Sequence, residues 1–272
     1  MSTSIWERTG SIPQKFWQDG RVDFPIYDMH GHMGAHSAIY MNRCTPEKMA
    51  AHLRRCGISR LVFSHHESLW GCRRCVEDYK ICQAFPDLYR MYVSINPHFQ
   101  DNIREDLAQF DRWSPYAVGL KILADYHKVH VTDKRYEYAL DFAEERGIPV
   151  LFHTWGGSEF DGGEIMLELV HKYHNLKFFL GHSIHDQWDK AVACVKESAG
   201  NVYLELTAIP GDRDIIEMLC RDAGSQWLLF GTDMPWFDEF QAIGGVVSAD
   251  ITEDDMRNIL YRNAENLLGK DF

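Results

Sequence analysis

Short apolar runs rich in Val, Ile, Leu, Phe and Tyr recur along the chain, each followed by a longer stretch with helical spacing of its apolar positions. The runs begin near Ile26, Arg60, Tyr89, Ala117, Ile148, Leu176, Val202 and Trp227, so successive starts lie 34, 29, 28, 31, 28, 26 and 25 residues apart. That interval is close to the length of one strand–helix–strand unit. Runs such as 148–152 and 228–230 are apolar at every position, as expected of parallel strands buried on both faces. Alternation of this kind predicts a parallel sheet with right-handed crossovers.

The helical stretches carry start and stop signals. Thr45-Pro46 opens a segment ending at Gly57, and a segment from Asp133 to Arg146 meets Gly147 and then Pro149. Near the end Thr252 precedes Glu253, Asp254 and Asp255, acids that favour a helix N-terminus, and that helix is predicted to run to Leu268 and stop at Gly269. No linker or low-complexity tract interrupts the series, so residues 1–272 read as one domain. Eight units build either an open doubly wound sheet or a (β/α)8 TIM barrel. The open sheet calls for a glycine-rich phosphate loop after an early strand. Gly31 and Gly34 instead stand among histidines, and the α/β barrel is preferred.

The 272 residues suit one barrel of roughly 250 residues. A formal net charge of −12 sets the chain against nucleic acid and anionic membranes, which carry the same sign. It leaves a small-molecule substrate as the expected partner and a homo-oligomer open. No run of about 18 apolar residues is present, and residues 1–24 lack a continuous apolar core. The seven cysteines are therefore read as reduced thiols of a cytoplasmic protein.

A barrel presents its active site at the C-terminal ends of its strands. The first run ends Asp28-Met-His30-Gly-His32, the fifth at His153, the sixth at Gly181-His182 and the eighth at Gly231-Thr-Asp233. Residues two apart on a strand face the same side, so His30 and His32 offer two neutral imidazoles together. One histidine at a strand end is more often a core or loop residue. Four strand ends delivering His or Asp to one rim point to a metal.

These segments, with Gly119-Leu-Lys121 and the ending Ile259-Leu-Tyr-Arg-Asn263-Ala-Glu-Asn-Leu-Leu-Gly269, resemble the amidohydrolase superfamily over nearly the whole chain. The branch is the amidohydrolase-related one (amidohydrolase 2) of metal-dependent hydrolases, lactonases and non-oxidative decarboxylases. The resemblance implies metal ligation by His30, His32, His153 and Asp233, with His182 near metal and substrate. Zinc is the expected ion, one per chain. Some relatives carbamylate a lysine at the place of Lys121 to bridge two metals. The preferred reading makes Lys121 a point-charge donor to substrate or to a ligand carboxylate, and Asp28 a partner behind the ligands.

Trp155, Glu159, Trp236 and Phe237 follow the fifth and eighth runs and are candidates to wall the pocket, with Trp155 and Trp236 assigned to substrate. Of the adjacent His65 and His66 only one can face inward. Arg43, Arg73 and Arg74 are candidates to grip a carboxylate, and Cys72-Arg-Arg-Cys75 lacks a second pair at zinc spacing. The expected activity is hydrolysis of a small ester, lactone or amide by a metal-activated water, with Asp233 taking its proton and His182 polarising the carbonyl or protonating the leaving group. The alternatives are a metal-dependent decarboxylase, which needs a carboxylate grip beside the metal, and a barrel that only binds a ligand.

Overall fold

The computed structural model describes residues 9–270 and residue 272. Its eight strands are β1 (Ile26–Met33), β2 (Ile58–His65), β3 (Tyr89–Ile95), β4 (Ala117–Ile122), β5 (Pro149–Trp155), β6 (Lys177–His185), β7 (Val202–Glu205) and β8 (Leu228–Leu229). All neighbours pair in parallel, in sequence order from β1 to β8. The ring closes where the N–H of Met29 donates to Phe230 O (2.9 Å), that of Asp233 to His30 O (2.7 Å) and that of His32 to Met234 O (2.6 Å). With helices between the strands, this is the (β/α)8 barrel that the spacing predicted, and each strand begins within two residues of its predicted start. Among the described residues no helix is long and apolar enough to cross a membrane.

Side chains from almost every strand fill the barrel itself. Tyr27, Met29, Val62, Tyr92, Leu151, Phe179 and Leu229 form one buried cluster, and Tyr92 Oη donates to Met29 O at 2.8 Å inside it. The C-terminal segment covers the bottom, where Phe272 packs edge-on against Tyr27 with ring centres 5.0 Å apart. The larger cluster lies between strands and helices and includes Leu53, Phe63, Val93, Ile122, Phe152, Leu180 and Ile243.

The helix caps explain several element ends. The helix Pro46–Cys56 starts at Thr45, whose side chain accepts from Lys48 N, and ends at Gly57 with φ 82°. Thr252 and Asp255 cap each other reciprocally, so the last helix starts as expected. It runs on through a π-helical stretch, Asn258–Arg262, to Leu268. One helix starts later than its pattern implies. Asp133 binds the backbone N–H (2.9 Å) and guanidinium of Arg135, a local bond that competes with helix formation, and the helix begins only at Glu137.

Candidate metal centre

The register of β1 against β2 shifts between Asp28 and Gly31. Tyr27 and Met29 therefore fill the barrel while His30 and His32 stand above them at its C-terminal mouth. Asp28 secures the seam. It is fully buried and accepts from the N–H groups of His30 (3.1 Å) and Thr232 (3.1 Å) and from Thr232 Oγ1 (2.5 Å). One carboxylate thus holds β1 against the turn that carries Asp233, which itself has φ 56°.

One donor atom each from His30, His32 and Asp233 lies within 4.8 Å of the other two. Asp233 Oδ1 stands 3.1 Å from His32 Nε2 and 3.5 Å from His30 Nε2. It is buried and makes no hydrogen bond to either ring. A buried carboxylate oxygen without a hydrogen bond, facing two ring nitrogens, is costly unless a cation joins them.

The opposite ring nitrogens are each tied down. His30 Nδ1 meets Glu205 Oε2 at 2.6 Å, His32 Nδ1 meets Ser64 Oγ at 3.2 Å and His153 Nδ1 meets Asp161 Oδ2 at 3.2 Å. Anchoring one nitrogen fixes the tautomer and orients the other, as in histidines that ligate metals. The residues thus fit a divalent ion on a ground internal to the chain. His153 has the anchored pattern and lines the same cavity, but its nitrogens fall outside the 4.8 Å group. Burial is the first cause that holds the pKa values of His30 and His32 well below the ordinary range, so both rings are neutral donors.

His182 differs from the other three. Its Nδ1 is buried and has no partner, and its ring lies 5.1 Å from that of His30 and 5.0 Å from that of His153. Burial again lowers its pKa. It begins a run of three positive φ angles, 63° at His182, 49° at Ser183 and 54° at Ile184, a backbone costing on the order of 1–3 kcal/mol per residue. Thr154 Oγ1 accepts from Ile184 N (2.9 Å) and Ser183 Oγ donates to Glu205 O (2.8 Å), which hold the run in place.

Glu205 at the end of β7 is the residue that sequence reasoning missed. Fully buried, it accepts from Thr207 N (2.7 Å), Thr207 Oγ1, His182 N (3.3 Å) and His30 Nδ1 (2.6 Å). Burial pushes its carboxyl up to about 7, against the pull of these donors. A side chain at Gly231 would collide with its carboxylate, and one at Gly181 would crowd the His30 ring. The glycines before Asp233 and His182 therefore make room for the centre. The available signal was a carboxylate closing an apolar run, Val202-Tyr-Leu-Glu205.

Lys121 is fully buried beneath the rim, absent from the cavity lining, with Nζ 3.0 Å from His30 Nε2. Burial brings its pKa down to about 8. The cavity above, about 340 Å³, is bordered by His32, His36, His66, Trp70, Tyr126, His153, Trp155, His182, Asp233, Trp236 and Phe237, with Leu69, Leu123 and Asp125. Two stacks border it, the second backed by His185 behind Trp155. His32, His66 and Trp70 lie nearly parallel (9° and 18°), as do His153, Trp155 and His185 (13° and 6°).

His66 faces inward and accepts from Trp236 Nε1 at 3.1 Å, while His65 turns away and caps Glu67 N. Glu159 is exposed and does not line the cavity. The three arginines are engaged elsewhere: Arg73 with Asp78 (2.8 Å), Arg74 with Glu105 and Asp106 (3.0 and 2.9 Å), and Arg43 beside His52. No lysine or arginine lines the cavity among the described residues. Cys72 is exposed in a turn and Cys75 is buried at the start of a helix, and all seven cysteines are free.

The family model described as Amidohydrolase matches residues 27–270. The chain belongs to the amidohydrolase family. Enzymes of this fold bind a divalent metal, in keeping with the His30, His32 and Asp233 group. No curated protein sequence matches significantly. Solved structures share the amidohydrolase barrel at low identity. An uncharacterized TIM-barrel protein from Bordetella bronchiseptica aligns with TM-score 0.75 at 18% identity, over 91% of this chain and 99% of that one. A 5-carboxyvanillate decarboxylase from Novosphingobium aromaticivorans, complexed with manganese and 4-hydroxy-3-methoxy-5-nitrobenzoic acid, aligns with TM-score 0.72 at 11% identity, over 90% and 96%. A dihydroxybenzoic acid decarboxylase from Polaromonas, with bound manganese and 2-nitroresorcinol, gives 0.72 at 15%, over 90% and 96%.

Proposed function

We propose that this amidohydrolase is a metal-dependent hydrolase of a small, uncharged ester, lactone or amide. The observation that carries the reading is the composition of the cavity over the His30, His32 and Asp233 donors. Its lining is aromatic with two carboxylates, and the arginines that could grip an acid are spent in ion pairs elsewhere. His153 completes the ligand set in this reading, its Nδ1 anchored by Asp161 as those of His30 and His32 are by Glu205 and Ser64. Zinc is the ion proposed, because three imidazoles and one carboxylate suit it. When bound, such an ion supplies Lewis acidity and makes a water acidic enough to act near neutral pH.

The chain's own groups do the rest. Asp233, whose Oδ1 faces the ring nitrogens that would hold the ion, takes the proton of the attacking water at its other carboxylate oxygen and passes it to the leaving oxygen or nitrogen. His182, with a ring nitrogen unpartnered, hydrogen-bonds the substrate carbonyl oxygen as charge develops there. Trp155 and Trp236 flank the substrate, and Lys121 acts from below through His30.

Decarboxylation of an aromatic acid is the second reading, favoured by the two aromatic stacks and by what the manganese-bound neighbours are named for. A screen of zinc- and manganese-loaded protein over lactones, esters, amides and aromatic acids, with CO2 release followed, separates them. Turnover confined to acids, with stoichiometric CO2, would overturn the hydrolase assignment.

A further inference from the structure

A second group of ligand-type side chains lies outside the barrel. His52 and Cys56 sit one turn apart on the helix Pro46–Cys56 and so share one face. Glu239 is the first residue of the helix Glu239–Ser248, packed alongside. One donor atom from each of the three lies within 4.8 Å of the others. Cys56 is fully buried, Glu239 is 2% exposed, and the His52 side chain is 11% exposed. Among the described residues, this and the barrel centre are the only two such groups.

A carboxylate is seldom buried without a cation, and Asp238 adjoins this one. Its partners are His52, whose Nε2 is 2.7 Å from Glu239 Oε2, and beyond it the guanidinium of Arg43, whose Nη1 lies 2.6 Å from His52 Nε2 and 2.9 Å from His52 Nδ1. Arg43 comes from the loop before the helix, its side chain is 44% exposed, and it lies 3.8 Å from Asp238. A half-exposed guanidinium thus supplies positive charge at the place where the donors converge, with solvent on its open side. Cys56 has no such partner.

We propose that His52, Cys56 and Glu239 form a second metal site, selective for zinc-like borderline ions, that clasps these two helices together. One thiolate, one imidazole and one carboxylate suit zinc or cobalt and not magnesium or calcium. On binding, the Cys56 thiol proton passes to solvent, a ring nitrogen of His52 turns to the ion, and Arg43, which now lies on both ring nitrogens, withdraws. Burial and the nearby carboxylates push the Cys56 thiol up to about 12, so the ion itself must draw off that proton, and affinity rises with pH. The helices follow the loops that carry His36 after β1 and Trp236 and Phe237 after β8. The site therefore fastens two sides of the cavity mouth and is independent of the reaction proposed there.

The barrel centre has no sulfur donor, so a cobalt–thiolate charge-transfer band reports on the second site alone. Metal-free protein titrated with Co2+ should develop that band, saturating at one ion per chain, with two ions bound in all. The band should be absent in Cys56→Ala, and its titration should shift at least tenfold in His52→Gln and in Glu239→Gln. It should persist in the His30→Ala/His32→Ala variant and in Cys72→Ala. In that double-histidine variant, Zn2+ should still raise the Tm. No band after excess Co2+, or a band surviving in Cys56→Ala or unmoved in a folded His52→Gln or Glu239→Gln, would overturn the proposal.

Discussion

Replacing Glu205 with Gln tests whether the residue behind the ligands sets their chemistry. The carboxylate receives donors at both oxygens: Thr207 N and Oγ1 at Oε1, and His30 Nδ1 and His182 N at Oε2. A carboxamide of the same size presents one oxygen and one NH2. With the NH2 in the Oε2 place, His30 must accept at Nδ1, which moves its proton to Nε2, the nitrogen that faces Asp233. With the NH2 in the Oε1 place, the Thr207 N–H is left facing a donor. An unsatisfied buried donor costs about 1–3 kcal/mol of stability. Loss of a partner behind a metal-binding histidine weakens metal affinity or activity about 10–100-fold, equivalent to ~1.4–2.7 kcal/mol. Ser64→Ala removes only one neutral bond of 3.2 Å from His32 and should cost less. Competition with a chromophoric chelator, in a Cys56→Ala background so that only the barrel centre is read, gives the affinity, and urea denaturation gives the stability. A folded Glu205→Gln protein with the metal affinity of its parent would refute the reasoning.

Asp233→Asn keeps the side chain's size but removes the proton acceptor, so turnover at matched metal content should fall about 10²–10⁴-fold in steady-state assays. Lys121 lies against His30 and is not read as a carbamate, so elemental analysis in the Cys56→Ala background should find one metal whether or not bicarbonate is present during loading. Two bicarbonate-dependent ions would show a bridge instead. Trp155→Ala removes a ring stacked 4.3 Å from His185 at the cavity edge. It should raise KM about 2–10-fold, the worth of one aromatic contact, with kcat little changed. Thr252→Ala breaks the capping box and should cost about 1 kcal/mol by denaturation while leaving activity intact.

The barrel was legible because several strands are buried on both faces and so read as continuous apolar runs, such as 148–152. The cost of leaving such runs in water leaves few alternatives, and their spacing sets the topology. What escaped was local competition. Asp133 bonds its own neighbour Arg135 rather than opening the helix, and that choice depends on a side-chain conformation that periodicity does not encode. β8 was expected as a full run and has only two residues in regular pairing, because the chain then bends to Asp233 at φ 56° and closes on β1 through single backbone bonds.

The site divides along a similar line. His30, His32, His182 and Asp233 stand out as polar residues at the ends of apolar runs, where burial of a polar side chain needs a reason. Glu205 ends β7 in the same way, but it sits beneath the cavity and reveals its role only through four donors that converge from β1, β6 and its own turn. The cavity walls were half visible. His66, Trp155 and Trp236 follow strand ends, whereas His36, Trp70 and Tyr126 come from connecting segments whose path no periodicity fixes. Arginine roles were the least legible, because charge composition cannot say which acid an arginine meets. Arg73 and Arg74 hold Asp78, Glu105 and Asp106 on neighbouring helices, and among the described residues no lysine or arginine lines the cavity. On the function proposed above, that arrangement favours an uncharged carbonyl compound, and it makes the substrate's charge the property by which the two chemistries are separated.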